Sequence, residues 1–249
     1  MSGHSKWAQI KRQKGVNDAR RGQMFTKLGR EITVAARAGG GDPEANFRLR
    51  LAIQRAREAN MPMENIERAI KRATGGGDAA ALEEITYEGY GPGGAAVLVQ
   101  AMTDNRNRAV GEIRNVFSRA GGSLGETGCV AWLFDPRGVI EIDATGLDTE
   151  EVALLAIDAG AEDVKTEDHS VEVYTKPAEL EEVRRILEAN RLKVVSAETS
   201  MVPKTTVQLD ARTSKQVLRL MDKLEELDDV QRVYTNVDFT DEMLEQYAG

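Results

Sequence analysis

The sequence predicts an α+β protein with several domains: an N-terminal all-helical domain followed by two α+β domains, one of them a ferredoxin-like unit inserted into the other. Three observations lead to this prediction. Apolar residues recur at helical spacing through the first 75 residues, short β-type runs alternate with amphipathic segments after residue 85, and one β-α-β-β-α-β order lies within that second part. A chain of 249 residues, of which 41% are hydrophobic, is long enough to bury such cores.

Three helices are predicted before residue 75. The first spans about 18–37 and stops at a run of glycines, since consecutive glycines end helices. The second is expected to begin with Asp42 as its cap and Pro43 as its first residue. The third follows Met61 and ends at a second glycine run. These elements make up a predicted helical domain of residues 1–77.

From residue 85 onward, β-type runs separated by glycine or proline turns alternate with amphipathic helices. The predicted strands are 86–90, 95–102, 129–134, 138–143, 163–166, 171–174, 193–197, 206–209 and 230–235. The predicted helices are 107–120, 148–159, 177–189 and 213–227.

The middle of this region contains one complete β-α-β-β-α-β set, which is the order of a ferredoxin-like unit. The segments on either side together supply a second such set. We therefore predict that residues 136–202 are inserted into a discontinuous α+β domain made of residues 82–135 with 203–240. Val130, Trp132 and Phe134 share one face of a predicted strand, as base-stacking aromatics do in RNA-recognition sheets, although a core under two helices is the simpler interpretation.

Positive charge is concentrated near the N-terminus. The first 72 residues contain 16 Lys and Arg against 7 Asp and Glu, whereas the whole chain contains 33 against 41. On the first helix, Arg20, Lys27, Arg30 and Arg37 lie opposite the apolar face, and only Glu31 interrupts them. A solvated surface is the alternative, but such faces usually mix signs. The segregated charge therefore favours contact with a polyanion.

We expect these cations to contact nucleic-acid phosphates, with the basic tail before the first helix as an extension. Trp7 in that tail either stacks on a base or packs against its own domain. Arg106 and Arg108 begin a helix, where an anion or an intramolecular acid must offset the helix dipole. The predicted nucleic-acid-binding residues are Lys6, Trp7, Lys11, Arg12, Lys14, Arg20, Arg21, Lys27, Arg30, Arg37, Arg48, Arg55, Arg106 and Arg108.

The sequence lacks the spacing of a catalytic or metal site. It has no P-loop, no His-Glu ligand pair and no nucleophile elbow. Cys129, the single cysteine, lies in an apolar segment, which indicates a small buried residue rather than a nucleophile. We therefore predict no enzymatic activity, no cofactor and no metal. No apolar run approaches the ~18 residues that a membrane span needs, so a soluble cytoplasmic protein without a membrane partner is expected.

Motifs along nearly the whole chain resemble the YebC family. They are GHSKW at 3–7, DARRG at 18–22, FTKL at 25–28, GGGDPEAN at 39–46, NIERAI at 65–70, YEGYGPGG at 87–94 and TDNRNR at 103–108. The resemblance implies the same three-part fold and a cytoplasmic, DNA-binding regulator of transcription. The related mitochondrial translational activator of cytochrome oxidase implies action on the ribosome instead, relieving stalls at proline-rich stretches.

The chain departs from the family pattern at Gln13, Gly29 and Phe47. Gln13 removes one potential phosphate contact from the basic tail. Gly29 lies in the middle of the first predicted helix, where glycine should cost about 1 kcal/mol relative to alanine.

We predict a non-enzymatic regulator of gene expression whose partner is nucleic acid, either duplex DNA or ribosomal RNA, with the ribosome as a further partner in the second case. A small-molecule sensor is a third hypothesis, because ferredoxin-like modules can hold ligands at sheet or dimer edges. The sequence leaves open the choice between DNA and ribosomal RNA, and it leaves the oligomeric state unknown.

Overall fold

A computed structural model describes residues 18–75, 82–167 and 169–248. A group of helices comes first and is followed by two antiparallel sheets, each with helices packed on it. The predicted α+β class is therefore confirmed. The helices are α1 (Asp18–Gly39), α2 (Phe47–Glu58), α3 (Met63–Thr74), α4 (Arg106–Arg119), α5 (Thr149–Asp158), α6 (Leu180–Ala189), α7 (Ala211–Glu225) and α8 (Asp241–Ala248). The strands are β1 (Glu83–Tyr90), β2 (Ala96–Thr103), β3 (Ser123–Leu124), β4 (Phe134–Asp143), β5 (Asp163–Glu167), β6 (Ser170–Thr175), β7 (Lys193–Pro203) and β8 (Val230–Thr235).

The helical region is held together by the apolar faces of α1, α2 and α3. Ile32, Leu49 and Ile66, one from each helix, are fully buried in a single core. At about 25 cal/mol per Å² of apolar surface, burial of each such side chain contributes about 2 kcal/mol. The three predicted helices are thus confirmed, and their contact faces are those with helical apolar spacing.

The predicted start of the second helix at Asp42 and Pro43 is wrong. The side chain of Asn46 caps α2 by accepting the N–H of Leu49 at 3.1 Å, and its amide donates to two carbonyl groups at the end of α1, each at 2.8 Å. Because this buried amide satisfies both helix ends, the helix begins four residues after Pro43.

The first sheet has the strand order β3-β1-β2-β8, and all three of its pairings are antiparallel. Alternate residues of β2, including Val97 and Val99, are buried against α4 and α7. The second sheet has the order β5-β6-β4-β7, the antiparallel order of a ferredoxin-like unit, with Ile140 and Val173 buried under α5 and α6. All of its strands lie between β3 and β8 in the sequence; the domain boundaries themselves stay a prediction.

Two predicted strands of the first sheet are wrong. Among the described residues, 206–209 form no strand and take part in one isolated β-bridge, between Val207 and Val237. Residues 129–134 contain a 3₁₀ turn, and the side chain of Trp132 is 64% exposed while Val130 and Phe134 are buried. The proposed common face of these three residues therefore does not form.

The turn forms because the carboxylate of Glu88 accepts backbone N–H groups that would otherwise pair with a neighbouring strand. Its carboxylate, in a residue only 4% exposed, accepts the N–H groups of Gly128, Val130 and Ala131 at 2.6 to 2.8 Å. Burial acts to raise the pKa of Glu88, but the three backbone hydrogen bonds outweigh it and hold the pKa below its usual value. The charged carboxylate thus organises this loop.

We expect Glu88→Gln to lower the free energy of unfolding at pH 7 by about 2 kcal/mol, because the amide cannot accept three N–H groups with both of its ends. Since the folded-state pKa is lowered, the stabilisation by Glu88 is complete above about pH 4.3 and is lost as the pH falls below it. Urea unfolding between pH 7 and pH 3.5 should show the difference from the wild type shrinking at low pH. Glu126→Gln, an exposed control in the same loop, should have little effect, and a pH-independent loss in Glu88→Gln would contradict this account.

Candidate nucleic-acid interface

The middle of the cationic face of α1 lies against the first sheet rather than solvent. The guanidinium of Arg30 donates to the carbonyl of Asp228 at 2.6 Å and to the carboxylate of Asp229 at 2.8 Å. Lys27 donates to the carbonyl of Glu225, the last residue of α7. These two predicted phosphate contacts therefore take part in docking the helical region.

Asp229 is the centre of this docking contact. It is 2% exposed and accepts hydrogen bonds from Arg30 at 2.8 Å, Arg108 at 2.9 Å and the hydroxyl of Thr103 at 2.9 Å. Hydrogen bonds to Asp229 and Asp104 raise the pKa of Arg108 above its ordinary value. The anion that the start of α4 was expected to require is therefore supplied by this protein's own carboxylates.

Arg55 belongs to a second intramolecular network. It pairs with Glu31 on α1 at 2.9 Å and with Glu198 on β7, and Arg232 on β8 lies 3.6 and 3.5 Å from the same two carboxylates. Burial acts to lower the pKa of Arg55, but the charges of Glu198 and Glu31 outweigh it and raise the pKa. This network joins the helical region to both sheets.

Arg48 and Arg106 pair with neighbouring carboxylates of β1. Arg48 contacts Glu84, and the side chain of Arg106 lies 3.0 Å from that of Glu83. All four side chains are largely exposed, so each pair contributes at most about 1 kcal/mol. Solvated pairs of this kind can exchange a carboxylate for another anion at little cost.

A cavity of about 750 Å³ lies where the helical region meets both sheets. Arg48, Arg55 and Arg232 line it together with Glu31 and Glu84. Because these cations already pair with carboxylates, the cavity wall is close to neutral.

A groove of about 730 Å³ between α1 and α3 has a different charge. Among the described residues, four arginines, Arg30, Arg37, Arg68 and Arg72, line it with one carboxylate, Asp104. Arg68 and Arg72 are exposed and form no ion pair with another described residue. A concave surface lined mainly by one sign of charge focuses the electrostatic potential and attracts the opposite charge. This groove is the candidate nucleic-acid interface.

The structure brings only some of the predicted residues to this groove. Arg37 lines it at an exposed position, and Arg30 reaches it from the docking contact. Arg21 is exposed about one helical turn before Phe25, which also lines the groove. Six further predicted residues lie outside the residues or side chains that the structure describes: Lys6, Trp7, Lys11, Arg12, Lys14 and, for its side chain alone, Arg20.

Sequence reasoning missed Arg68 and Arg72. Their i,i+4 spacing places both on one face of α3, which could have indicated a cationic surface. Glu64 precedes Arg68 by four residues, a spacing at which intrahelical ion pairs are common, but these two described residues form no such pair. Which arginines face the groove depends on how α3 packs on α1.

The described part of the chain lacks the features of a metal site, a reactive cysteine or a membrane-spanning helix. It contains no group of three or more His, Cys, Asp or Glu side chains arranged to hold a metal. Burial, and next the charge of Glu88, raises the pKa of the Cys129 thiol, the opposite of what a thiolate nucleophile needs. None of the helices in the described ranges combines the length and apolar composition of a bilayer-crossing segment.

We expect Asp229→Asn to lower the free energy of unfolding by about 2 to 3 kcal/mol, because two arginines lose their shared buried carboxylate. Asp228→Asn is the matched control: it removes the neighbouring charge but keeps the carbonyl that Arg30 uses, and it should cost less than about 0.5 kcal/mol. Urea unfolding of both variants measures the difference. Equal losses in the two variants would show that Asp229 has no special part in docking.

Two family models together match almost the entire chain. The model described as the TACO1/YebC protein N-terminal domain matches residues 5–76, and the model of the TACO1/YebC second and third domain matches residues 82–237. A probable transcriptional regulatory protein of Dehalococcoides mccartyi is 58% identical over 247 residues, covering 99% of this chain and 98% of its own length.

A probable transcriptional regulatory protein of Roseiflexus castenholzii is 59% identical and covers all of both chains. The crystal structure of a conserved hypothetical protein from Aquifex aeolicus has a TM-score of 0.81 at 49% identity, and the match covers 90% of this chain and 93% of that one. These matches extend over the helical region and both sheets, so the chain belongs to the TACO1/YebC family.

Proposed function

We propose that this protein is a non-enzymatic regulator of gene expression that binds nucleic acid through the groove between α1 and α3. The observation that carries the proposal is the composition of that groove as lined by the described residues: Arg37, Arg68 and Arg72 reach solvent beside the carboxylate of Asp104, which is already paired with Arg108. Guanidinium groups match phosphate in geometry as well as charge. The names of the relatives, probable transcriptional regulatory proteins, support the same assignment.

The acidic remainder of the molecule limits where a polyanion can bind. The whole chain carries a formal net charge of −8 although its first 72 residues are basic. A nucleic-acid backbone is therefore repelled by much of the surface and attracted to the helical region, which restricts its orientation. The basic residues that precede α1 extend this attraction, in our proposal, along the same strand of phosphates.

Both duplex DNA and ribosomal RNA are candidate targets, because phosphate contacts alone carry no information about base sequence and do not distinguish between them. A preferred duplex sequence in a binding selection would support regulation at DNA. Co-sedimentation with ribosomes, without a preferred duplex, would support regulation of translation.

We expect the double variant Arg68→Ala/Arg72→Ala to weaken binding to a duplex DNA probe and to reduce the salt dependence of binding. Each lost phosphate contact lowers the slope of log affinity against log salt by about 0.9, so the pair should lower it by about 1.8. Fluorescence anisotropy titrations at salt concentrations from about 50 to about 200 mM measure this slope.

Lys215→Ala/Arg219→Ala is the matched control. Lys215 and Arg219 have the same i,i+4 spacing and are exposed on α7, but they lie outside the groove. Replacing both with alanine removes the same net charge. The control should leave the slope unchanged. An equal reduction in both double variants, or a wild-type affinity that does not change with salt, would contradict the proposed function.

A further inference from the structure

The groove between α1 and α3 is not uniformly polar. Phe25, Met61, Ala69 and Leu82 line it together with the arginines, and Met61 and Ala69 are buried at its base. The charged side chains Arg68 and Arg72 are exposed, so they lie towards its opening. The groove therefore combines an apolar floor with a cationic rim.

An apolar floor is not explained by contact with a phosphate backbone. Phosphate oxygens require only hydrogen-bond donors and positive charge, and the bases of an intact duplex are stacked inside the helix. An unpaired base, in contrast, presents a flat apolar face that stacks on aromatic and apolar side chains, while its flanking phosphates still require cations. The two chemistries of the groove match the two parts of one unpaired nucleotide.

Gly29 contributes to the shape of this floor. A glycine inside a helix costs about 1 kcal/mol relative to alanine, yet neither packing nor backbone conformation requires one here. A Cβ atom at this position would meet only the terminal methyl of Met61, at 3.9 Å, which is an ordinary contact. Gly29 lines the groove one helical turn from both Phe25 and Thr33, so the missing side chain leaves the floor open between Phe25 and Met61.

We propose that the groove holds one unpaired nucleotide of a single-stranded segment, with its base over Gly29 between Phe25 and Met61 and its flanking phosphates on Arg68 and Arg72. This inference rests on the proposed function and narrows its target to nucleic acid with an unstacked base, such as a loop, a bulge or a single strand. The side-chain amide of Asn65, which also lines the groove, can donate to and accept from a base edge.

The test is to fill the floor without changing the charge. Gly29→Leu should weaken binding of a single-stranded oligonucleotide about tenfold, because stacking of one base on an apolar or aromatic platform is lost. The same variant should leave duplex DNA affinity unchanged, since the arginines remain. Gly29→Ala, which adds one methyl group, should bind the single strand within about twofold of the wild type and so serves as the matched control. Leucine and alanine both have a higher helix propensity than glycine, so neither substitution should destabilise α1. An unchanged circular dichroism spectrum and a melting temperature at or above that of the wild type would confirm that the variants fold.

The probes are a ribo- and a deoxyribo-oligonucleotide of the same sequence and a blunt duplex of that sequence. A loss confined to the single strands supports the groove assignment, and the larger of the two losses identifies RNA or single-stranded DNA as the source of the nucleotide. Equal weakening of single strands and duplex, or no weakening of any probe, would overturn the assignment. A different result would contradict the proposed function itself: the double variant Arg68→Ala/Arg72→Ala would then bind every probe as tightly as the wild type does.

Discussion

The ion pair between Arg30 and the buried carboxylate of Asp229 is the contact on which the arrangement of the helical region depends. Asp229, with 2% of its surface exposed, has lost most of its hydration, and hydrogen bonds from Arg30, Arg108 and Thr103 replace those to water. Since Arg30 lies on α1 and Asp229 immediately precedes β8, this carboxylate connects the helices to the first sheet. The groove between α1 and α3 opens beside that contact, with Arg30 shared by both.

The basic helical region thus divides its cations between two tasks. Arg30 and Arg55 form ion pairs with the protein's own carboxylates and so connect elements that are distant in sequence. Arg68 and Arg72 face solvent across the groove and pair with no described carboxylate. The docking contacts hold α1 beside the groove, and under the proposed function this preorganisation would reduce the entropy lost when nucleic acid binds.

Local patterns were sufficient to predict much of the fold. The three N-terminal helices and the order of the ferredoxin-like unit follow from apolar spacing and turn residues, which act over a few neighbours. The candidate site was harder to predict, because Arg30 meets a partner 199 residues away and the exposure of Arg68 depends on the packing of α3. The segment 129–134 has a β-type composition, yet the carboxylate of Glu88 takes its backbone N–H groups. For Arg30 and for the segment 129–134, long-range polar contacts outweighed local preference.

The late position of β8 in the chain has a consequence for synthesis. β2, one of the two inner strands of the first sheet, pairs with β8, and Thr103 contacts Asp229, which follows it by 126 residues. The helical region therefore leaves the ribosome well before the carboxylate that anchors it exists, and the entire second sheet is made in the interval. During that interval Arg30 and Arg108 lack their shared partner, so the nascent chain exposes more positive charge than the finished protein.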